Sequence, residues 1–126
     1  MNIEWKYKID LTENALSEIS RKYQIVIPDD LTELLMTVNA ATPSKTRFML
    51  KVDEKILGAV LSFNPNEKET DSLESAMSIG FEKNIDPFGN YICYNTLNHS
   101  IVFFDHEKDR LEEIASTLSG FLEKLY

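Results

Sequence analysis

Apolar residues recur along the first forty positions at three- and four-residue steps. Ala15, Leu16, Ile19 and Tyr23 share one side of a helical wheel and Thr12 precedes them as an N-cap, so the spacing predicts a helix to about Tyr23. Gln24-Ile25-Val26-Ile27 then reads as a short extended link. It ends at Pro28, which disfavours the α region in its predecessor and suits a helix start. A second helix is expected through Val38, capped by Asp29 or Asp30, with Leu31, Leu34, Leu35 and Val38 on one face. Acids at its N-terminus also suit the helix dipole.

After Pro43 the period changes. Thr46 to Val52 alternates in part, Asp53-Glu54-Lys55 interrupts, and Ile56 to Phe63 is nearly all apolar. This predicts a β-hairpin whose second strand lies centrally in a sheet. Asn64 to Asp71 is the most polar stretch and reads as a loop before a short helix, Ser72 to about Ile79. Tyr91 to Asn95 and Ile101 to Phe104 are expected as strands, joined by the turn-like Thr96-Leu97-Asn98-His99-Ser100. From Leu111 onward, Ile114, Ala115, Leu118, Phe121, Leu122 and Leu125 again fall at helical steps and predict one final helix. Gly120 costs about 1 kcal/mol relative to Ala inside such a helix, so a close approach to the sheet is expected there. The order predicts an α+β fold: a mostly antiparallel sheet with N-terminal helices and a C-terminal helix packed against it. The length predicts one domain over residues 1–126.

Charge narrows the function. The chain carries 21 Asp+Glu against 13 Lys+Arg, a formal net charge of −8. Binding nucleic acid directly needs cations that displace counterions from phosphates, and anionic lipid repels an acidic surface, so neither is expected as a partner. No apolar stretch approaches the ~20 residues of a spanning helix. Met1-Asn2-Ile3-Glu4-Trp5-Lys6 lacks a basic region followed by an apolar one, so no signal peptide is expected and the protein is expected in the cytoplasm. The acid is in excess along the whole chain rather than in a tail. It concentrates at Glu67, Glu69, Asp71 and Glu74, and again at Asp105, Glu107, Asp109, Glu112 and Glu113. Such charge either only solubilises the protein or makes a face that steers a basic protein partner. On the second reading Glu67, Glu69, Asp71 and Glu74 are the candidate partner-binding residues, because they cluster in the polar loop and the helix after it.

Catalytic templates find little support. His106-Glu107 lacks the second His, one helical turn on, that a zincin motif needs; a strand-end turn is expected, with Asp105 or Asp109 capping the last helix. His99 is expected as a solvated imidazole in a turn. Cys93, the one cysteine, rules out an internal disulfide and is expected as a packed thiol between Ile92 and Tyr94. No Gly-x-Ser-x-Gly elbow occurs, and four glycines make no phosphate-cradling loop. Phe103 and Phe104, like Tyr91 and Tyr94, should point to opposite faces and mainly into the core. No catalytic residue, metal or cofactor is expected.

One combination of motifs is similar to a known family. Tyr23-x-Ile25-x-Ile27-Pro28-x-Asp30-Leu31 with Leu34-Leu35-x-x-Val38-Asn39 resembles the opening of the SUKH superfamily, which includes the fungal cell-wall-assembly regulator and many bacterial immunity proteins. Asp86-Pro87-Phe88-Gly89-Asn90-Tyr91-Ile92-Cys93-Tyr94, Ile101-Val102-Phe103-Phe104-Asp105-His106-Glu107 and Ile114-Ala115-x-x-Leu118-x-x-Phe121-Leu122 extend the match over roughly residues 11–125. The chain departs from the pattern after Asn39, where members often carry glycine and it has Ala40-Ala41-Thr42-Pro43. The resemblance implies an α+β domain without shared catalytic residues. For short bacterial members it implies an immunity protein that binds and neutralises the cognate domain of a polymorphic secreted toxin, often a nuclease. A nuclease needs a basic active face to hold polyanionic substrate, which an acidic protein could occlude. The alternatives are a non-catalytic regulatory or scaffold module on the same fold, and an enzyme or metal-dependent hydrolase whose metal would be bound through His99 or His106.

Overall fold

The computed structural model describes residues 3–24, 26–60, 84–85, 87–88, 92–105, 107–108 and 110–126. Helix α1 (Glu13–Tyr23) starts as its spacing predicts, with Thr12 Oγ1 accepting from the Ala15 N–H at 3.1 Å. It ends at Gln24, whose φ of 54° lets its N–H close back on the last turn. Helix α2 (Asp29–Val38) corrects the expected cap. Pro28 occupies the N-cap position with extended dihedrals and no side-chain bond, and its carbonyl accepts from the Thr32 N–H at 2.8 Å. The ring has preset the entry to the helix, which leaves Asp29 and Asp30 in the first turn rather than in front of it. Leu31, Leu35 and Val38 form the buried stripe of α2.

The exit of α2 is a tight turn. Asn39 (φ −51°, ψ 132°) and Ala40 (φ 63°) are its central residues, closed by the Ala41 N–H on the Val38 carbonyl at 3.0 Å. Those dihedrals are of type II, whose third residue needs positive φ. Asn39 is buried, donates from Nδ2 to the Ile9 carbonyl at 3.2 Å, and accepts from the Ile9 N–H at 2.9 Å on its own carbonyl. The turn thereby holds the N-terminal segment, whose strand β1 (Trp5–Lys6) pairs antiparallel with β2 (Thr42–Pro43).

Strands β3 (Arg47–Leu50) and β4 (Asp53–Ile56) form the expected hairpin with its turn moved. Lys51 and Val52 make the turn, Lys51 at φ 57°, and Asp53-Glu54-Lys55 lies inside the second strand. Strand β4 thus ends at Ile56, where the apolar run was expected to begin as a strand. Its charges suit the edge of a two-stranded sheet. Glu54 ion-pairs with Arg47, and Lys55 Nζ stands 4.7 Å from the centre of the Phe103 ring. Leu57 to Val60 is not strand, and Leu57 and Val60 are buried. The rest of that run, the polar loop 64–71 and the helix expected at 72–79 lie outside the described residues.

A four-stranded sheet is antiparallel throughout, in the order β5 (Asn84–Ile85), β6 (Ile92–Asn95), β7 (Ile101–Asp105), β8 (Arg110–Ala115). Strand β8 is the main correction, because the helical spacing had assigned Leu111 to Ala115 to the final helix. The register explains the spacing: Val102 faces Glu113 and Ile101 faces Ala115, so Ile114 is an extra residue in a bulge. A bulge breaks the two-residue alternation, and Leu111 and Ile114 come to stand three apart, as on a helix. The β7–β8 turn has its own cap. Asp105 Oδ1 accepts from the Lys108 N–H at 3.2 Å and the Glu107 N–H at 3.1 Å, which holds its carboxyl below the usual carboxylate range. Asp105 therefore caps a hairpin turn, not a helix; Asp109 lies outside the described residues.

The C-terminal helix α3 (Leu118–Glu123) is six residues long, with Thr117 Oγ1 accepting from the Gly120 N–H at 2.9 Å. A Cβ at Gly120 would stand 3.0 Å from that hydroxyl and 3.9 Å from Ala115 Cβ. The close approach is thus to the helix's own cap, with the end of β8 behind it. Leu118, Phe121 and Leu122 enter a core shared with Ile19, Leu31, Leu35, Phe48, Phe88, Ile92 and Ile101. Phe121 meets Phe48 edge-on at 5.3 Å and Phe88 at 5.6 Å. Phe103 packs against this core as well, and Cys93 is buried. The fold is α+β with a C-terminal helix, as expected. No helix among the described residues is long and apolar enough to cross a membrane.

Candidate functional site

Helix α2 has two working faces. Leu31, Leu35 and Val38 point into the core, while Asp30, Glu33, Leu34 and Thr37 follow the i, i+3, i+4, i+7 pattern of an adjacent stripe. That second stripe forms one wall of a groove of about 540 Å³. Its other wall is the start of α3, with Thr117 and Ser119, and its floor is apolar: Trp5, Leu34, Leu118 and Leu122. The lining contains two acids and no Lys, Arg or His. Asp30 and Glu33 take part in none of the ion pairs among the described residues.

One acid is held from behind. The Tyr94 side chain is fully buried, and a buried phenol needs a partner for its hydroxyl. It lies 2.5 Å from Asp30 Oδ1, to which it donates, and 2.8 Å from His99 Nδ1. The hydroxyl has a single proton, already committed to the carboxylate, so its oxygen is left to accept from His99 Nδ1. The two rings meet edge to face at 6.0 Å. Burial first, then the bond to Asp30 and its negative charge, raise the Tyr94 hydroxyl above the usual tyrosine range, so it stays a donor at neutral pH. Asp30 Oδ1 also accepts from the Leu31 N–H at 2.8 Å. Both bonds fall on Oδ1, and Oδ2 has none among the described residues.

The β6–β7 turn brings His99 to this position. Asn95 Oδ1 accepts from the Leu97 N–H and Asn98 Oδ1 from the Ser100 N–H and hydroxyl, while His99 takes φ 64°. The imidazole is exposed as expected, but it is engaged rather than only solvated.

Glu67, Glu69, Asp71 and Glu74 lie outside the described residues, as does His106. The second acidic concentration is partly structural. Asp105 caps its turn, and Glu112 pairs with Arg110 at 2.9 Å and Lys51 at 3.8 Å. No group of three or more His, Cys, Asp or Glu that could hold a metal occurs among the described residues. By sequence alone Asp30 is a helix-terminal charge, Tyr94 a core aromatic and His99 a turn residue. Tyr94 and His99 flank one hairpin, so their meeting could be anticipated; Asp30 is 64 residues from Tyr94, and no local signal joins them.

Against known proteins, the model of the SMI1 / KNR4 family (SUKH-1) matches residues 10–124. No curated protein and no solved structure matches the chain.

Proposed function

The chain belongs to the SMI1 / KNR4 family (SUKH-1), and from that membership we propose that it is a bacterial immunity protein. It acts in the cytoplasm without catalysis, binding a cognate toxin domain and occluding its basic active face. The toxin is proposed to be a nuclease, whose phosphate-binding surface an array of carboxylates would cover in place of the substrate. One observation supports the reading: in a protein of net charge −8, the described groove carries Asp30 and Glu33 on one wall and no Lys, Arg or His in its lining. The whole chain acts as one domain, and Glu67, Glu69, Asp71 and Glu74 are proposed as an acidic face steering the encounter.

Co-expression with the toxin encoded by the neighbouring gene tests this. The protein is expected to restore growth and to co-purify with the toxin domain as a complex. Growth arrest that persists at full expression of both chains, with no complex, would falsify it.

A further inference from the structure

We infer that the groove between α2 and α3 receives a segment of the partner protein carrying Arg or Lys beside apolar residues, with Asp30, aimed by Tyr94, as the anchor for the cation. The inference rests on the protein-binding reading above and deepens it. The floor of Trp5, Leu34 and Leu122 suits apolar side chains and the aliphatic stem of a long basic one. The wall offers Asp30 and Glu33 one helical turn apart, with no cation in the lining to neutralise them. A nucleic acid or an anionic lipid would meet these carboxylates as like charges. A basic segment meets charge and floor at once.

Tyr94 makes the site more than two acids on a helix. Its hydroxyl and the Leu31 N–H hold Asp30 Oδ1, so the carboxylate is fixed before a partner arrives and little rotamer freedom is lost on binding. Oδ2 is left to accept from the guanidinium or ammonium, a charge-assisted bond beside an apolar floor. Tyr94 is thus a positioning residue, and His99 supports it from the turn.

The test uses the full chain and two probes, a short peptide alternating Leu and Arg and its counterpart alternating Leu and Glu. The Leu/Arg peptide is expected to bind about ten-fold tighter or better, and its chemical-shift changes should map to α2 and α3. Asp30→Asn keeps an oxygen for the Tyr94 and Leu31 donors but removes the charge. It should weaken the Leu/Arg peptide by about ten-fold and flatten the salt dependence. Tyr94→Phe, at unchanged circular dichroism, should lower the Arg-over-Glu preference, a readout that a purely structural role would leave alone. Equal binding of the two peptides, no effect of Asp30→Asn, or shifts confined to other elements would overturn the inference. The neighbouring-gene toxin separates the two readings. If it binds wild type and Asp30→Asn equally, the groove is not its anchor while the immunity reading stands. If it ignores wild type while the peptide results hold, the immunity reading fails alone.

Discussion

Ala40 holds a backbone position that suits glycine. Its φ of 63° at the third residue of the Val38–Ala41 turn places Cβ against the following carbonyl, at roughly 1–2 kcal/mol. The turn closes with alanine rather than glycine at this position. Asn39 fixes it on both sides through its bonds with Ile9. Ala40→Gly should relieve the strain, minus what glycine's freer unfolded chain takes back, for a net gain of about 1 kcal/mol. A rise in melting temperature of about 3–5 °C is expected in thermal unfolding, and a lowered one would show the turn to be relaxed as it stands. Tyr94 gives the second prediction at this scale. Its proton is held more tightly folded than unfolded, so its contribution is complete below the unfolded value near pH 10 and is lost as pH rises through the higher folded value. Tyr94→Phe should cost about 1–2 kcal/mol at neutral pH. In urea titrations that gap should narrow from about pH 10 upward, while titrating lysines affect both proteins alike and cancel. A gap of constant size would mean that the hydroxyl is not buried against Asp30.

Among the elements, α3 is the least able to stand alone. Six residues are far below the roughly 12–15 that an isolated helix needs even with good formers, so packing must hold it. Thr117→Ala removes the cap and should cost about 1 kcal/mol. Phe121→Ala empties a fully buried site between Phe48 and Phe88 and should cost about 3–5 kcal/mol, a large part of an ordinary domain's stability. Chemical denaturation of both variants checks the order, and a costlier Thr117→Ala would place the strength of α3 in its cap. The same region shows what a sequence can and cannot disclose. Helices α1 and α2 were legible because their stripes are uninterrupted and Thr12 and Pro28 mark their starts. Strand β8 was not, since its bulge at Ile114 counterfeits a helical step and Ser116-Thr117 looks like two polar positions on one longer helix. The site divides the same way. The helical spacing puts Leu34 on the core face with Leu31, Leu35 and Val38, whereas the structure sets it in the groove beside Asp30, Glu33 and Thr37, and the contact of Asp30 with Tyr94 depends on a chain closure that no local pattern encodes.

For the molecule as a whole, the question is whether the charge of −8 acts as a total or through one face. Reversing Glu67, Glu69, Asp71 and Glu74 to lysine cancels the whole formal charge, so a loss of binding by that variant alone would not distinguish the two. A matched variant resolves this: reversing Asp10, Glu18, Asp53 and Glu123, all exposed, reaches the same total from other parts of the surface. At about 0.01 M salt the Debye length is near 30 Å and both variants should associate with the toxin more slowly than wild type. At about 0.15 M it shrinks to roughly 8 Å, and only charges beside the contact still steer. There the first variant should remain slower by about ten-fold or more and the matched one should approach wild type. Dissociation rates should change less than association rates in both, because charges at the rim of an interface act mainly on the encounter. Stopped-flow association at the two salt concentrations measures this. A first variant that associates as fast as wild type at the higher salt would remove Glu67, Glu69, Asp71 and Glu74 from the contact face, because charges beside the contact must still steer there.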